Sequence, residues 1–352
     1  MEIDHNLYIH IPFCISKCKY CAFFSSACAN PDWENFTKNI LEEIKYWSIK
    51  LGKINIPTIF FGGGTPSLLP EKYVEQIINE INKSFHIDDN CELSLEANPG
   101  TINKEKLQNL KNIGINRISI GAQSFDDNRL IFLGRKHSAG QAIQIINDSL
   151  SLGFRTSADF IYGLPQDTPE YVAKLCSQIN AIGLEHCSLY ELTIEPNTPF
   201  GKMNLDMPSN EQMAQLYETI SEKLCLPRYE VSNYAKPGQE CRHNQNVWDG
   251  EAYIGIGKGA AGRPFIKDTW YEQLGDNEKF EPISNETRTI EKIITGLRQT
   301  RGVKLTEDIK KQIDFHFINK NPDLLIISQD DRLKTTNKGL LVLDYILSEL
   351  VK

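Results

Sequence analysis

Three cysteines near the amino terminus stand in the run Cys14-Ile-Ser-Lys-Cys18-Lys-Tyr-Cys21. Three thiolates at C-x3-C-x2-C spacing on one tight loop can hold three irons of a [4Fe–4S] cube. The usual complement is four cysteines, so a loop of three leaves one iron open to a small ligand. Zinc is the alternative reading. Its tetrahedral closure needs a fourth protein ligand, which Cys28 or His10 would supply. The nine cysteines are an odd number, scattered through the chain. They point to reduced thiols and a metal site, not a disulfide framework. Cys91, Cys176, Cys187 and Cys225 read as core thiols.

A loop of this kind has to be held by a scaffold, and the sequence outlines one. Apolar, strand-like runs occur at 7–12, 58–62, 92–97, 117–123, 156–162 and 186–192. Between them lie segments with helical spacing. Ile40, Ile44, Trp47 and Leu51 share a face, as do Val74, Ile77, Ile78, Ile81 and Phe85, and Val172, Leu175, Ile179 and Ile182. Six strands alternating with helices imply an α/β fold with a parallel sheet, and both an open barrel and a doubly wound sheet fit. The polar motifs all fall at the carboxyl ends of these strands. Cys14–Cys21 follows the first, Gly62-Gly-Gly-Thr-Pro66 the second and Glu96-Ala-Asn-Pro-Gly100 the third. Gln123-Ser124, Asp159 with Tyr162-Gly-Leu-Pro165, and Tyr190-Glu191 end the last three. That rim is where parallel α/β folds build active sites.

Composition narrows the class. The chain has 352 residues, 40% apolar and 24% charged, as in an ordinary globular protein of two or three domains. Its formal charge of −8 argues against a broad nucleic-acid surface, so no nucleic-acid partner is expected. No apolar run approaches the roughly 18–20 residues of a membrane span. The start Met1-Glu-Ile-Asp-His5 lacks a signal peptide's pattern, which makes the cytoplasm the expected location. Three regions are expected: a core over 1–205, a middle α+β extension over 206–284, and a winged-helix-like domain over 285–352. The last is read from helical stretches around 290–298 and 305–317, a two-stranded wing at 324–335 and a final amphipathic helix.

Taken together, Tyr8-Ile-His-Ile-Pro-Phe-Cys14, Gly62-Gly-Gly-Thr-Pro-Ser67, Arg117-Ile-Ser-Ile-Gly-Ala-Gln-Ser124, Asp159-Phe-Ile-Tyr-Gly-Leu-Pro165 and Tyr229-Glu-Val-Ser-Asn-Tyr-Ala-Lys-Pro-Gly238 resemble the radical S-adenosylmethionine superfamily. The likeness covers nearly the whole chain and falls in the coproporphyrinogen oxidase-like branch, nearest its heme chaperones. It implies a partial (β/α)6 barrel carrying a [4Fe–4S] cluster on Cys14, Cys18 and Cys21, with exchangeable S-adenosylmethionine. It places Tyr8, Tyr20, Gly63, Gly64, Thr65, Glu96, Gln123, Arg135 and Asp159 around that cofactor. No catalytic residue is assigned.

In the same comparison His243, within Cys241-Arg-His-Asn-Gln-Asn-Val-Trp248, is the heme-binding candidate. Trp248 is available to stack on a porphyrin face, and Val247 stands where the family usually has tyrosine. A histidine simply hydrogen-bonded in a loop is the alternative. The implied partners are heme, an acceptor hemoprotein of which respiratory, membrane-associated ones are examples, and an electron donor such as flavodoxin or ferredoxin. Two departures favour a heme chaperone over an oxygen-independent coproporphyrinogen III dehydrogenase. Phe23 stands where the oxidase cluster loop has a further cysteine, and only thirteen residues precede Cys14. The dehydrogenase remains the second reading, and a radical enzyme acting on RNA the third.

Overall fold

Alternation along the strands builds the architecture. In β1 (His5–Ile11), Leu7, Ile9 and Ile11 are fully buried in the helix-facing core, while Asn6, Tyr8 and His10 take the opposite face. The same phase recurs in β2 (Asn55–Gly63), with Ile59 and Phe61 against Thr58 and Phe60. It continues in β3 (His86–Ala97), where Leu93 and Leu95 alternate with Glu92, Ser94 and Glu96. In β4 (Arg117–Gln123), Ile118 and Ile120 alternate with Arg117 and Ser119. In β5 (Arg155–Tyr162), Ala158 and Phe160 alternate with Ser157 and Asp159. In β6 (His186–Glu191), Cys187 and Leu189 alternate with His186, Ser188 and Tyr190. The period of two sends one set to the helices and the other inward.

This computed structural model describes residues 3–275 and 280–352. Its main sheet runs β8-β1-β2-β3-β4-β5-β6-β7, where β7 is Asn233–Ala235 and β8 is Ala252–Ile256. Every neighbour pairs in parallel except β7, which is antiparallel to β6. Residues of β1 to β7 line one cavity, so the sheet curls around a lumen as a partial barrel. An ordinary parallel barrel fills its lumen with branched apolar side chains; this lumen is hollow and mixes charged and hydroxyl groups with aromatic rings.

All six expected strands form in the expected order. The two outer strands come from a stretch that reads as polar and glycine-rich. Ala252-Tyr-Ile-Gly-Ile256 is short, and its glycine dilutes the strand pattern. That glycine answers to packing, since a Cβ on Gly255 would lie 2.4 Å from the Ala261 carbonyl oxygen.

The outer layer is made of α1 (Trp33–Leu51), α2 (Glu71–Ser84), α3 (Lys104–Ile113), α4 (Asp127–Leu133), α5 (Ala139–Ser151), α6 (Pro169–Ile182) and α7 (Asn210–Lys223). Their starts are chemically specified. Asp32 caps α1, Thr168 caps α6 ahead of a proline, and Ser138 with Gln141 forms a capping box on α5. A short helix, α8 (Arg242–Trp248), and then α9 (Asn285–Leu297) follow. Beyond α9, Val303–Lys304, Leu325–Ile327 and Arg332–Thr335 form a three-stranded antiparallel sheet with flanking helices, a winged-helix-like unit. Its own apolar cluster includes Ile293, Leu297, Ile313, Leu333, Ile346 and Leu350. The expected helix over 305–317 is two short ones, Glu307–Gln312 and Phe315–Lys320, and the wing gains a third strand. Cys225, expected in the core, is exposed.

Trp47 anchors α1. It is buried, with its ring edge-on to Phe280 at 5.2 Å. Trp47→Ala is expected to cost about 3–5 kcal/mol, read from the urea midpoint with an unchanged slope. A loss below about 1 kcal/mol would contradict the packing.

Candidate functional site

The cysteine loop closes over the carboxyl mouth of the barrel, pinned by backbone bonds. Lys19 N donates to Leu133 O (3.1 Å), Ser26 N to Pro12 O (2.8 Å), and Phe200 N to Lys19 O (3.0 Å). Cys14, Cys18 and Cys21 are all free thiols and half-buried. Gly64 passes beneath the loop, where a Cβ would lie 2.7 Å from Phe13 O and 3.0 Å from Cys14 Sγ. Only glycine permits that approach. His10, one of the two fourth ligands zinc would need, has both ring nitrogens engaged. Nδ1 lies 3.0 Å from Tyr8 Oη and Nε2 2.8 Å from Phe24 O. Among the described residues, no group of three His, Cys, Asp or Glu side chains is disposed to hold a single metal ion. A cube makes a different demand, one thiolate for each of three irons.

Behind the loop runs a chain of polar contacts. Arg135 Nη1 donates to Cys18 Sγ (3.4 Å), and Nη2 to Gly121 O (2.8 Å) and to Asn98 Oδ1. Asn98 Nδ2 donates in turn to Thr65 Oγ1 (2.9 Å). Tyr20 packs beside Arg135, Cys18 and Cys21. Gln123 has φ 64° after a register break in β4, which aims its amide at the same point above Gly121. Thus Tyr20, Gly64, Thr65, Gln123 and Arg135 gather at the rim with the thiols.

Tyr8, Gly63, Glu96, Asp159 and His243 instead line a cavity of about 500 Å3. Gly63 N donates to Glu96 Oε2 (3.2 Å). Burial, and then the Asp159 carboxylate, push Glu96 up to about 8. Burial also raises Asp159, although Ser188 (2.7 Å) and Ser119 (3.1 Å) both donate to it. Two carboxyls so placed suit a cationic ligand with hydroxyl groups. Free thiols, a glycine cradle and a cation-seeking carboxyl fit an iron–sulfur cube with an amino-acid ligand on its open iron.

His243 is not on an exposed loop. It lies in the first turn of α8, only 5% exposed, and α8 closes the amino-terminal end of the barrel. Glu92 fixes that helix. It accepts from the backbone N–H groups of His243 (3.0 Å) and Arg242 (3.1 Å) and from Arg155 (2.7 Å). Burial alone would raise the Glu92 carboxyl. Arg117, the His243 amide and Arg155 outweigh that and hold it below the usual range. From the other side, Thr295 Oγ1 donates to Trp248 O (2.7 Å), and Gln299 and Arg301 hold Asp249.

A hydrogen-bond relay sets the His243 tautomer. Asn246 Nδ2 and Thr58 Oγ1 both donate to Asn6 Oδ1 (2.9 and 2.7 Å). The Thr58 hydroxyl has then used its proton, so it accepts from His243 Nδ1–H, 2.7 Å away. Nε2 is left with a lone pair and, among the described residues, no hydrogen bond, on a ring that lines the cavity. Burial holds the ring neutral, at about 4. The other inward histidines offer no such atom: His10 is engaged as above, and His186 lies between Ser157 and Tyr229. Phe60 stacks on His243 (5.1 Å between centroids), and Val247 and Trp248 line the same cavity. Sequence reasoning did not single out Thr58, Glu92, Asn98 or Arg117. Glu92-Leu-Ser-Leu-Glu96 and Arg117-Ile-Ser carried the signal, polar residues at every second place in strands buried on both faces.

Residues 8–179, which carry this rim, match the sequence model of the radical SAM superfamily, and that sets the class of the protein. Full-length relatives refine it. Heme chaperone HemW of Bacillus subtilis (strain 168) is 31% identical over 367 residues, covering 96% of each chain. Heme chaperone HemW of Escherichia coli (strain K12) is 35% identical over 268 residues, 75% of this chain and 71% of the other. The chain belongs to the HemW family. Radical S-adenosyl methionine domain-containing protein 1, mitochondrial, of Danio rerio is 33% identical over 99% of this chain and 87% of its own. Coproporphyrinogen III oxidase HemN of Escherichia coli shares the fold, with a TM-score of 0.82 over 99% of this chain and 90% of the other at 20% identity.

The Glu96 shift has a sign that can be measured. Between the ordinary value of 4.5 and about 8, the folded protein holds a proton that the unfolded chain releases. Stability therefore falls as pH rises through that window. Glu96→Gln removes the effect, so its melting temperature in the ligand-free protein should gain on the parent steadily from pH 5 to pH 8.5. A pH-independent difference would rule the shift out.

Proposed function

We propose that this chain is a heme chaperone: it binds heme in the barrel cavity and passes it to an acceptor hemoprotein. Cys14, Cys18 and Cys21 hold a [4Fe–4S] cluster, and S-adenosylmethionine occupies its open iron. The observation that carries this reading is the single cavity joining Glu96 and Asp159, at the cofactor end, to the free Nε2 of His243 at the floor. Descent from one family over nearly the whole chain supports it.

When bound, the cluster and S-adenosylmethionine supply one-electron reduction of a sulfonium carbon–sulfur bond. The chain's own groups do the rest. Glu96 receives the ligand's ammonium beside the Gly63 amide. Asp159, oriented by Ser119 and Ser188, takes ribose hydroxyls. Tyr8 walls the cofactor end, while Tyr20, Thr65, Gln123 and Arg135 shape the rim around the cluster loop. His243 presents a neutral imidazole to the heme iron, the form and atom that ligation requires. Its Nδ1–H is fixed by Thr58, the usual outer partner of a metal-bound histidine. The exposed ring of Phe23 and the half-exposed Phe24 form an apolar lip at the cavity, where a planar cargo can enter and leave. The acceptor is a hemoprotein, a respiratory one among the candidates, and a flavodoxin or ferredoxin serves as electron donor.

Anaerobically reconstituted protein should contain about four iron and four sulfide, and any one of Cys14→Ala, Cys18→Ala or Cys21→Ala should lose them. Zinc without sulfide would end the cluster assignment. His243→Ala should weaken heme binding at least tenfold and change the Soret band, with Thr58→Val lying between it and the parent. Unchanged binding in His243→Ala would remove the ligand. Incubation with coproporphyrinogen III, a reductant and S-adenosylmethionine should yield no protoporphyrinogen. Stoichiometric decarboxylation would make the dehydrogenase reading the correct one.

A further inference from the structure

The lumen contains a buried cation with no hydrogen-bond or ion-pair partner among the described residues. We propose that Arg117 is the carboxylate-binding residue of the barrel cavity and takes a propionate of the porphyrin cargo. This rests on the reading of the cavity as the heme site.

Arg117 opens β4, is 3% exposed, and lines the cavity with Ser119, Asp159 and His243. Among the described residues its guanidinium makes no hydrogen bond and no ion pair. Comparable cations are matched. Arg155 pairs with Glu92 at 2.7 Å, Arg288 with Glu291 at 2.7 Å, and Arg129 forks onto Asp167. The acids that act on Arg117 at longer range are already engaged. Glu92 is taken by Arg155 and two backbone amides, and Asp159 by Ser119 and Ser188.

A guanidinium stays charged at any physiological pH and presents five donors in a planar fork. Burying it without a partner is strongly unfavourable. Open to a cavity, it is an anion site awaiting its anion, and a carboxylate matches the fork in two parallel bonds.

The cavity then offers two recognition elements at once: a metal-seeking nitrogen on His243 and a carboxylate-seeking fork on Arg117. Heme answers both, with iron at its centre and two carboxylates on one edge. The other carboxylate that enters the barrel belongs to the methionyl group of S-adenosylmethionine, whose place is at the cluster. Arg135, beside Cys18, stands at that rim. Arg117 lies six residues before Gln123 on the same strand and on the His243 side of Glu96, which pairs in register with Ser119.

The test uses the full-length, anaerobically reconstituted protein and three probes: heme, heme dimethyl ester and S-adenosylmethionine. The parent should bind heme at least tenfold more tightly than the ester. Arg117→Gln should lower heme affinity to that of the ester and leave the ester and S-adenosylmethionine unaffected, and Arg117→Lys should recover part of the difference. Equal weakening of heme and ester in Arg117→Gln would mean a structural role and overturn the proposal. Loss of S-adenosylmethionine binding with heme retained would assign Arg117 to the methionyl carboxylate and overturn it too. If the variants fail to fold, the acid-against-ester comparison in the parent decides alone. Parity there overturns this inference while leaving the heme site standing. Failure of the parent to bind heme at all removes the functional reading and this inference with it.

Discussion

A buried polar side chain is tolerated when its hydrogen bonds are made, and six strands of this sheet carry such side chains inward. That constraint organises the molecule. Asn6, Thr58 and His243 satisfy one another, as do Ser119, Asp159 and Ser188, and Ser157, His186 and Tyr229. Polar groups that meet across strands hold the strands apart, and the lumen stays open where branched apolar residues would have filled it. The outward faces then carry the apolar core, with α1, α2 and α6 each supplying an i, i+3, i+4 stripe.

An open lumen still needs a floor. α8 provides it, and the contacts that seat it are mostly directional bonds. Glu92 gathers two amides of its first turn, Asn6 reaches Asn246, and Arg242 reaches back to the Asn90 and Pro57 carbonyls. The carboxyl-terminal unit meets the same helix from outside through Thr295, Gln299 and Arg301. One short helix therefore joins the barrel to the winged-helix-like unit while presenting His243 inward.

Much of this was legible in the sequence, for identifiable reasons. The six inner strands and their helices repeat a clear period, and the cysteine loop is local, so neither depends on distant partners. β8 was hidden because Gly255 is set by contact with Ala261, which no local pattern announces. The environment of His243 was hidden for a related reason: Thr58 lies 185 residues away in sequence and Glu92 151 residues away. Sequence reasoning named the histidine, with a loop as the alternative setting, but not the helix at the floor of the barrel that buries it. Arg117 shows the limit most clearly. Its inward phase could be read from alternation, but that no described acid reaches its guanidinium in direct contact is a fact of three dimensions.

The lumen is one continuous chamber, and that has a thermodynamic consequence. Two guests lodged at its opposite ends close a cycle of four states: empty, either one alone, and both. Free energy is a state function, so whatever the first guest adds to or takes from the hold on the second, the second returns to the first in equal measure. A protein that lets go of one guest in the presence of the other must, by the same amount, bind that other less well while the first remains. The order of loading alters only how fast the full state is reached.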